Sequence, residues 1–221
     1  MTAIHEPDVA LTDLGLAILG AYFSWRLAID SARRALTRLA AVVMGGLASA
    51  ALWGAIFHAF FPAKTATRAG FLAWALVALS IVVVASALLG LALWLLAPKI
   101  GAVVRGAVVA VYAIGFAYTV VMLDDSFTSI VRFYAPTLVL VLVAAAVQAI
   151  HTRSEGWALV AAGFALSIAA AVLQQAKVAV HPTYFNHNAV YHVVQGVALV
   201  FLYQGFRRAP SSGVPAVGHA R

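Results

Sequence analysis

"LAWALVALSIVVVASALLGLALWLL", residues 72–96, runs without one charged side chain. An α-helix needs about 20 such residues to cross a bilayer's hydrocarbon core, where every backbone amide must be satisfied within the segment itself. Working outward from this stretch, the remaining chain has the same character. Of 221 residues, 64% are hydrophobic and 10% charged, with a mean hydropathy of +0.99. That leaves too little polar surface for a water-soluble globule, so the chain reads as an integral membrane protein.

Seven segments have the length and apolarity of spans: 10–29, 37–61, 69–97, 101–123, 132–150, 156–176 and 187–206. The connectors between them are marked by "DSARRALTR", "PAKTATR", "APKIG", "DDSF", "HTRSEG" and "HPTYFNH". The expected fold is therefore an all-α seven-transmembrane-helix bundle, one membrane domain over 1–206, followed by a basic, disordered tail over 207–221. The start, "MTAIHEPDVALTD", lacks the basic n-region of a cleavable signal peptide, so the first apolar segment is expected to stay as an anchor.

The formal charge of +7 raises the question of nucleic acid, but the basic residues lie in short loops between apolar spans and predict no nucleic-acid partner. They read as topology signals instead. Connector parity assigns Lys64, Arg68, Arg132 and Lys177 to the side of the N-terminus, four residues. The opposite side holds ten: Arg26, Arg33, Arg34, Arg38, Lys99, Arg105, Arg153, Arg207, Arg208 and Arg221. The positive-inside rule then predicts an outside N-terminus and a cytoplasmic C-terminus.

The same parity gathers the polar residues at one end. His58 closes the second span, Asp124 and Asp125 close the fourth, and Gln174 and Gln175 lie near the end of the sixth. Asp13 lies in the first turn of the first span, where it could also serve as a helix cap after Thr12. The seventh span opens with "FNHNAVYHVVQG", residues 185–196, preceded by His181. Asn188, His192 and Gln195 follow i, i+4, i+7 spacing and form one stripe, with Tyr184 and Tyr191 near its edge. His187 points roughly 140° from His192 on an ideal helix, which does not place the two on one face.

Ionisable groups inside a membrane are costly unless they face a protein interior or a wet cavity, so this one-sided cluster predicts a polar pocket. With no cysteine in the chain, any metal would be held by His, Asp, Glu or Asn. Two or three imidazoles with a carboxylate and an open position suit a catalytic zinc. His58, His187 and His192 are then the candidate ligands, with Asp124, Asp125 and Asn188 as candidate catalytic groups and Asp13, Gln174, His181, Tyr191 and Gln195 as pocket residues. No serine-nucleophile elbow, P-loop or dinucleotide fingerprint is present, and the seventh span carries no lysine for a retinal Schiff base. "GGLASAALWG", starting at Gly45, reads as a helix-packing stretch.

The seven spans, a His ending the second and "NAVYHVVQ" opening the seventh resemble the CREST superfamily of membrane hydrolases, which includes alkaline ceramidases and adiponectin-receptor-like proteins. "FNHNAVYHVVQG" is similar to bacterial membrane proteins with a His-Asn-x-x-Tyr-His pattern, and the resemblance implies a bacterial inner membrane and a zinc-dependent hydrolase acting on a lipid amide or ester, with His58 and His192 in two of the three zinc-binding positions. The third such position is Asn188 here, the family's serine position is Gly54, and the third span has no Asp. Two other readings fit the residues. A non-enzymatic pocket would hold a lipid, a haem or a small polar ligand, and a transporter would use the Asp and His groups as an ion relay.

Overall fold

The computed structural model describes residues 4–30, 35–181 and 184–210. Among these the chain forms seven helices: α1 (Pro7–Asp30), α2 (Ala35–Phe60), α3 (Arg68–Leu96), α4 (Ala102–Tyr118), α5 (Phe127–Thr152), α6 (Glu155–Gln175) and α7 (His187–Arg208). A π-helical turn, Thr119–Leu123, extends α4, and a 3-10 turn, Lys64–Ala66, lies between α2 and α3.

From α2 to α7, six helices are long and apolar enough to cross a membrane. α1 was expected to join them as a seventh span. It has the length but falls outside that set, because Asp13 and Arg26 interrupt its apolar run. It is nonetheless wound into the bundle, packed against α2 and α7.

Boundaries shift by a few residues from the sequence reading, and two of the shifts have a clear cause or consequence. α5 begins at Phe127 rather than 132, because the Ser126 hydroxyl accepts from the Ser129 amide and caps the helix five residues early. α7 runs through Arg208, so residues 207 and 208 of the expected tail are helical; 211–221 lie outside the described residues. Arg207 and Arg208 sit in the last turn, where a cation complements the helix dipole, and contact Asp30 at 3.5 Å and Glu155 at 3.0 Å.

The short connectors make consecutive helices antiparallel neighbours. α1, α2, α3, α5, α6 and α7 close into a ring, and α4 packs outside it on α3. α4 buries Phe116, stacked on Phe133 at 4.7 Å, and leaves Val103, Val111 and Ile114 exposed. Gly46 lets α2 and α3 approach closely, since a Cβ there would lie 2.6 Å from Val84 Cγ2.

One end of the bundle carries the start of α1, the ends of α2 and α6 and the start of α7. The opposite end is closed by a core that includes Leu27, Leu36, Leu91, Trp157, Phe164 and Phe206, all fully or almost fully buried.

Candidate functional site

At the end that carries the start of α1, the interior of the ring is not filled. Its helices enclose a half-open cavity of about 510 Å³. Each wall is set by where an apolar helix meets a connector. α2 contributes Gly54, Phe57 and His58 in its last two turns; α7 contributes His187, Asn188, Tyr191, His192 and Gln195 in its first three.

A buried pair lies in the wall. His192 Nε2 lies 3.2 Å from Asp13 Oδ1, and both side chains are buried. The other ring nitrogen, Nδ1, lies 3.0 Å from Thr12 Oγ1. Thr12 also reaches the carbonyls of Asp8 at 2.9 Å and Val9 at 3.0 Å in its own helix. With its single hydroxyl proton donated to those carbonyls, Thr12 accepts from Nδ1–H. Nε2 and Oδ1 then share one further proton, which leaves the pair without net charge in a setting where an unpaired charge would be costly.

Asp13 has room because the facing residue is Gly54: a Cβ there would lie 2.8 Å from Asp13 Oδ2. The Gly54 position and the Asp13 carboxylate are thus a matched pair across α1 and α2. Because α1 starts at Pro7, where the missing amide proton costs nothing, Asp13 is well inside the helix and does not cap it.

Above this pair, the Glu6 carboxylate contacts His58 Nδ1. The segment before α1 is fastened over the end of α2 by the amides of His5 and Glu6, which donate to the carbonyls of Ala59 and His58 at 3.1 and 3.2 Å. Across the cavity, Asn186 caps α7 by accepting from the amides of Asn188 and Ala189, and its own amide donates to Asp8 Oδ2 at 3.0 Å. Gln174 donates to Asn188 Oδ1 at 3.1 Å, and Gln195 donates to Ser167 Oγ at 3.1 Å. The α7 amide stripe is therefore tied to α6 while its histidine faces α1.

The structure brings most of the expected residues together. Asp13, His58, Asp125, Gln174, His187, Asn188, Tyr191, His192 and Gln195 all line the cavity. His187 does so despite its angular offset from His192, because it is the first residue of α7, at the mouth.

Two expected residues are placed elsewhere. Asp124 is exposed and outside the wall: its carboxylate accepts from Ser129 Oγ at 2.5 Å and the Ser126 amide at 3.0 Å, closing the turn into α5. Those hydrogen bonds, that from Ser129 first, hold its pKa below the ordinary carboxylate value. His181 is exposed and outside the wall too, where Nδ1 accepts from the Tyr184 amide at 3.1 Å and the backbone pairs with Phe185.

The reading from sequence missed Glu6, Thr12, Lys64, Trp74 and Ser167. Only Glu6 and Thr12 carried a signal, as polar residues just ahead of an apolar run.

The pairings bear on the expected zinc. Among the described residues, no group of three or more His, Asp and Glu side chains stands together as a metal site. Both ring nitrogens of His192 are already engaged, whereas a zinc ligand needs one free lone pair.

Comparison with known families matches residues 9–211 to the model of the family of unknown function DUF6962. The chain belongs to the DUF6962 family. No curated protein and no solved structure matches it. The matched region of this DUF6962 chain includes Asp13, His58, His192 and every other residue of the cavity wall.

Proposed function

We propose that this chain is a bacterial inner-membrane protein with seven spans, α1 included, its N-terminus outside and its C-terminus cytoplasmic, and that its cavity binds a small amphiphilic ligand. One observation carries the binding reading: a half-open cavity of about 510 Å³ with a polar mouth and an aliphatic floor, at the end of the bundle that holds fewer of the basic residues. That volume lies within the ordinary range for small-molecule sites, which are mostly apolar with a few polar groups for orientation.

The rival readings have less support. A zinc-dependent lipid hydrolase needs a ligand set that the described residues do not assemble. Haem ligation by His58 and His192 needs a free nitrogen on both, and His192 is engaged on each side. A transporter needs polar groups along its whole path, whereas the opposite end is filled by Trp157, Phe164 and Phe206.

Two measurements on purified protein test the proposal. A ligand that binds only the folded state raises stability by about 2.7 kcal/mol at a hundredfold excess over Kd. Screening amphiphiles by thermal unfolding should therefore find compounds that stabilise the chain without being consumed. Elemental analysis should find no stoichiometric metal. Zinc near one per chain, lost in His192→Ala, would overturn the binding reading in favour of the hydrolase.

A further inference from the structure

We infer that the ligand is a single-chain amphiphile with a zwitterionic head, seated with its chain on the cavity floor and its head at the mouth. This specifies the ligand class and rests on the binding reading above.

Depth and lining define the tail. The wall descends from His58 to Leu47 on α2 and from His187 to Leu199 on α7, about 16 to 18 Å at the helical rise per residue. The residues at the bottom, Leu16, Leu47, Ile81 and Leu199, are all aliphatic. An aliphatic surface around an open space gains from an apolar occupant and not from a polar one. About 510 Å³ spread over that depth is a space longer than it is wide, which suits an extended chain better than a compact ligand.

The rim defines the head. Lys64, on the 3-10 turn after α2, and Asp125, in the connector before α5, both line the mouth. Among the described residues neither has an ion-pair partner. Lys64 stands beside Thr65, and an ammonium with a neighbouring hydroxyl suits phosphate or carboxylate oxygens. Asp125 shares its part of the wall with aromatic residues: Phe127 lies two residues on, and Trp74 donates its indole N–H to the Asp125 backbone carbonyl at 2.5 Å. A carboxylate at an aromatic-lined mouth suits an ammonium group. A head with one sign of charge answers half of this rim; a head with both answers all of it.

The test uses full-length protein in amphipol, free of detergent, and equilibrium dialysis of four radiolabelled twelve-carbon probes below their micellar concentrations: a phosphocholine, a phosphate, a trimethylammonium and a maltoside. The phosphocholine probe should bind near one per chain and at least tenfold more tightly than the others. Lys64→Gln should weaken the phosphocholine and phosphate probes and spare the trimethylammonium probe. Asp125→Asn should weaken the phosphocholine and trimethylammonium probes and spare the phosphate. Val77→Trp, which fills the lower cavity from a half-buried position, should remove binding of all four, and Ile81→Phe is the milder filler if the first variant melts early. Should another probe bind as well as the phosphocholine, or both charge variants bind it unchanged, the head assignment falls while binding lost on filling upholds the pocket. Retention that neither filling variant reduces overturns both the inference and the binding reading.

Discussion

The two ends of this bundle are built from the same helices and differ in what the helices enclose. At the C-terminal end, Trp157, Phe164, Phe206, Leu27 and Leu36 interlock, and Phe23 stacks on Tyr203 at 4.3 Å. At the N-terminal end the facing positions are Gly54, Ala50 and Ala51 with polar residues between them, and a cavity remains. The contrast is one of side-chain volume and hydrogen bonding along unbroken helices. One end holds the fold together, which leaves the other free to keep an open space.

Substitutions can break this comparison, and the largest effect is expected at the closed end. Phe206→Ala should cost about 3–5 kcal/mol of unfolding free energy, measured by denaturant titration in mixed micelles, because it empties a fully buried site. A cost under about 1 kcal/mol would mean that this end is not close-packed. Next comes the buried pair. Asp13→Ala should cost about 3 kcal/mol, since His192 keeps its Thr12 contact and loses its partner. The double variant Asp13→Ala/His192→Ala should cost clearly less than the two single variants added together; simple additivity would show that the two side chains are not coupled.

Smaller effects sharpen the picture of the open end. Gln195→Leu, which removes the donor to Ser167, should cost about 1 kcal/mol. Val77→Trp places bulk in empty space and should leave the melting temperature close to that of the parent, whereas the same change in the closed core would be severe. The smallest effect belongs to Asp124. Its folded pKa lies below the unfolded value, so its contribution is fully present above the ordinary carboxylate range and is lost as pH falls through the folded value. Asp124→Asn should therefore show a slight loss of stability near neutral pH that vanishes in acid; a loss unchanged at low pH would assign it to the altered turn instead.

How much of the site was legible depended on periodicity. The α7 stripe of Asn188, His192 and Gln195 was readable because helical spacing places them together without reference to other helices. Asp124 and Asp125 could not be separated that way. They are adjacent in a connector, and only the capping of α5 by Ser126 directs Asp124 to the turn while Asp125 enters the wall. Glu6 was visible only as a polar residue ahead of an apolar run, and its pairing was out of reach because its partner His58 lies at the far end of another helix.

The sequence by itself determined the helices, their approximate ends and the gathering of polar residues at one end, because hydrocarbon demands internally bonded helices and chain parity assigns each connector a side. Only the tertiary structure decided which polar groups pair. His192 meets Asp13 and Thr12 from the opposite end of the chain, and Gly54 leaves space for that carboxylate. Those choices follow from which helix faces close the ring, a matter of packing shape that no single helix carries in its own pattern.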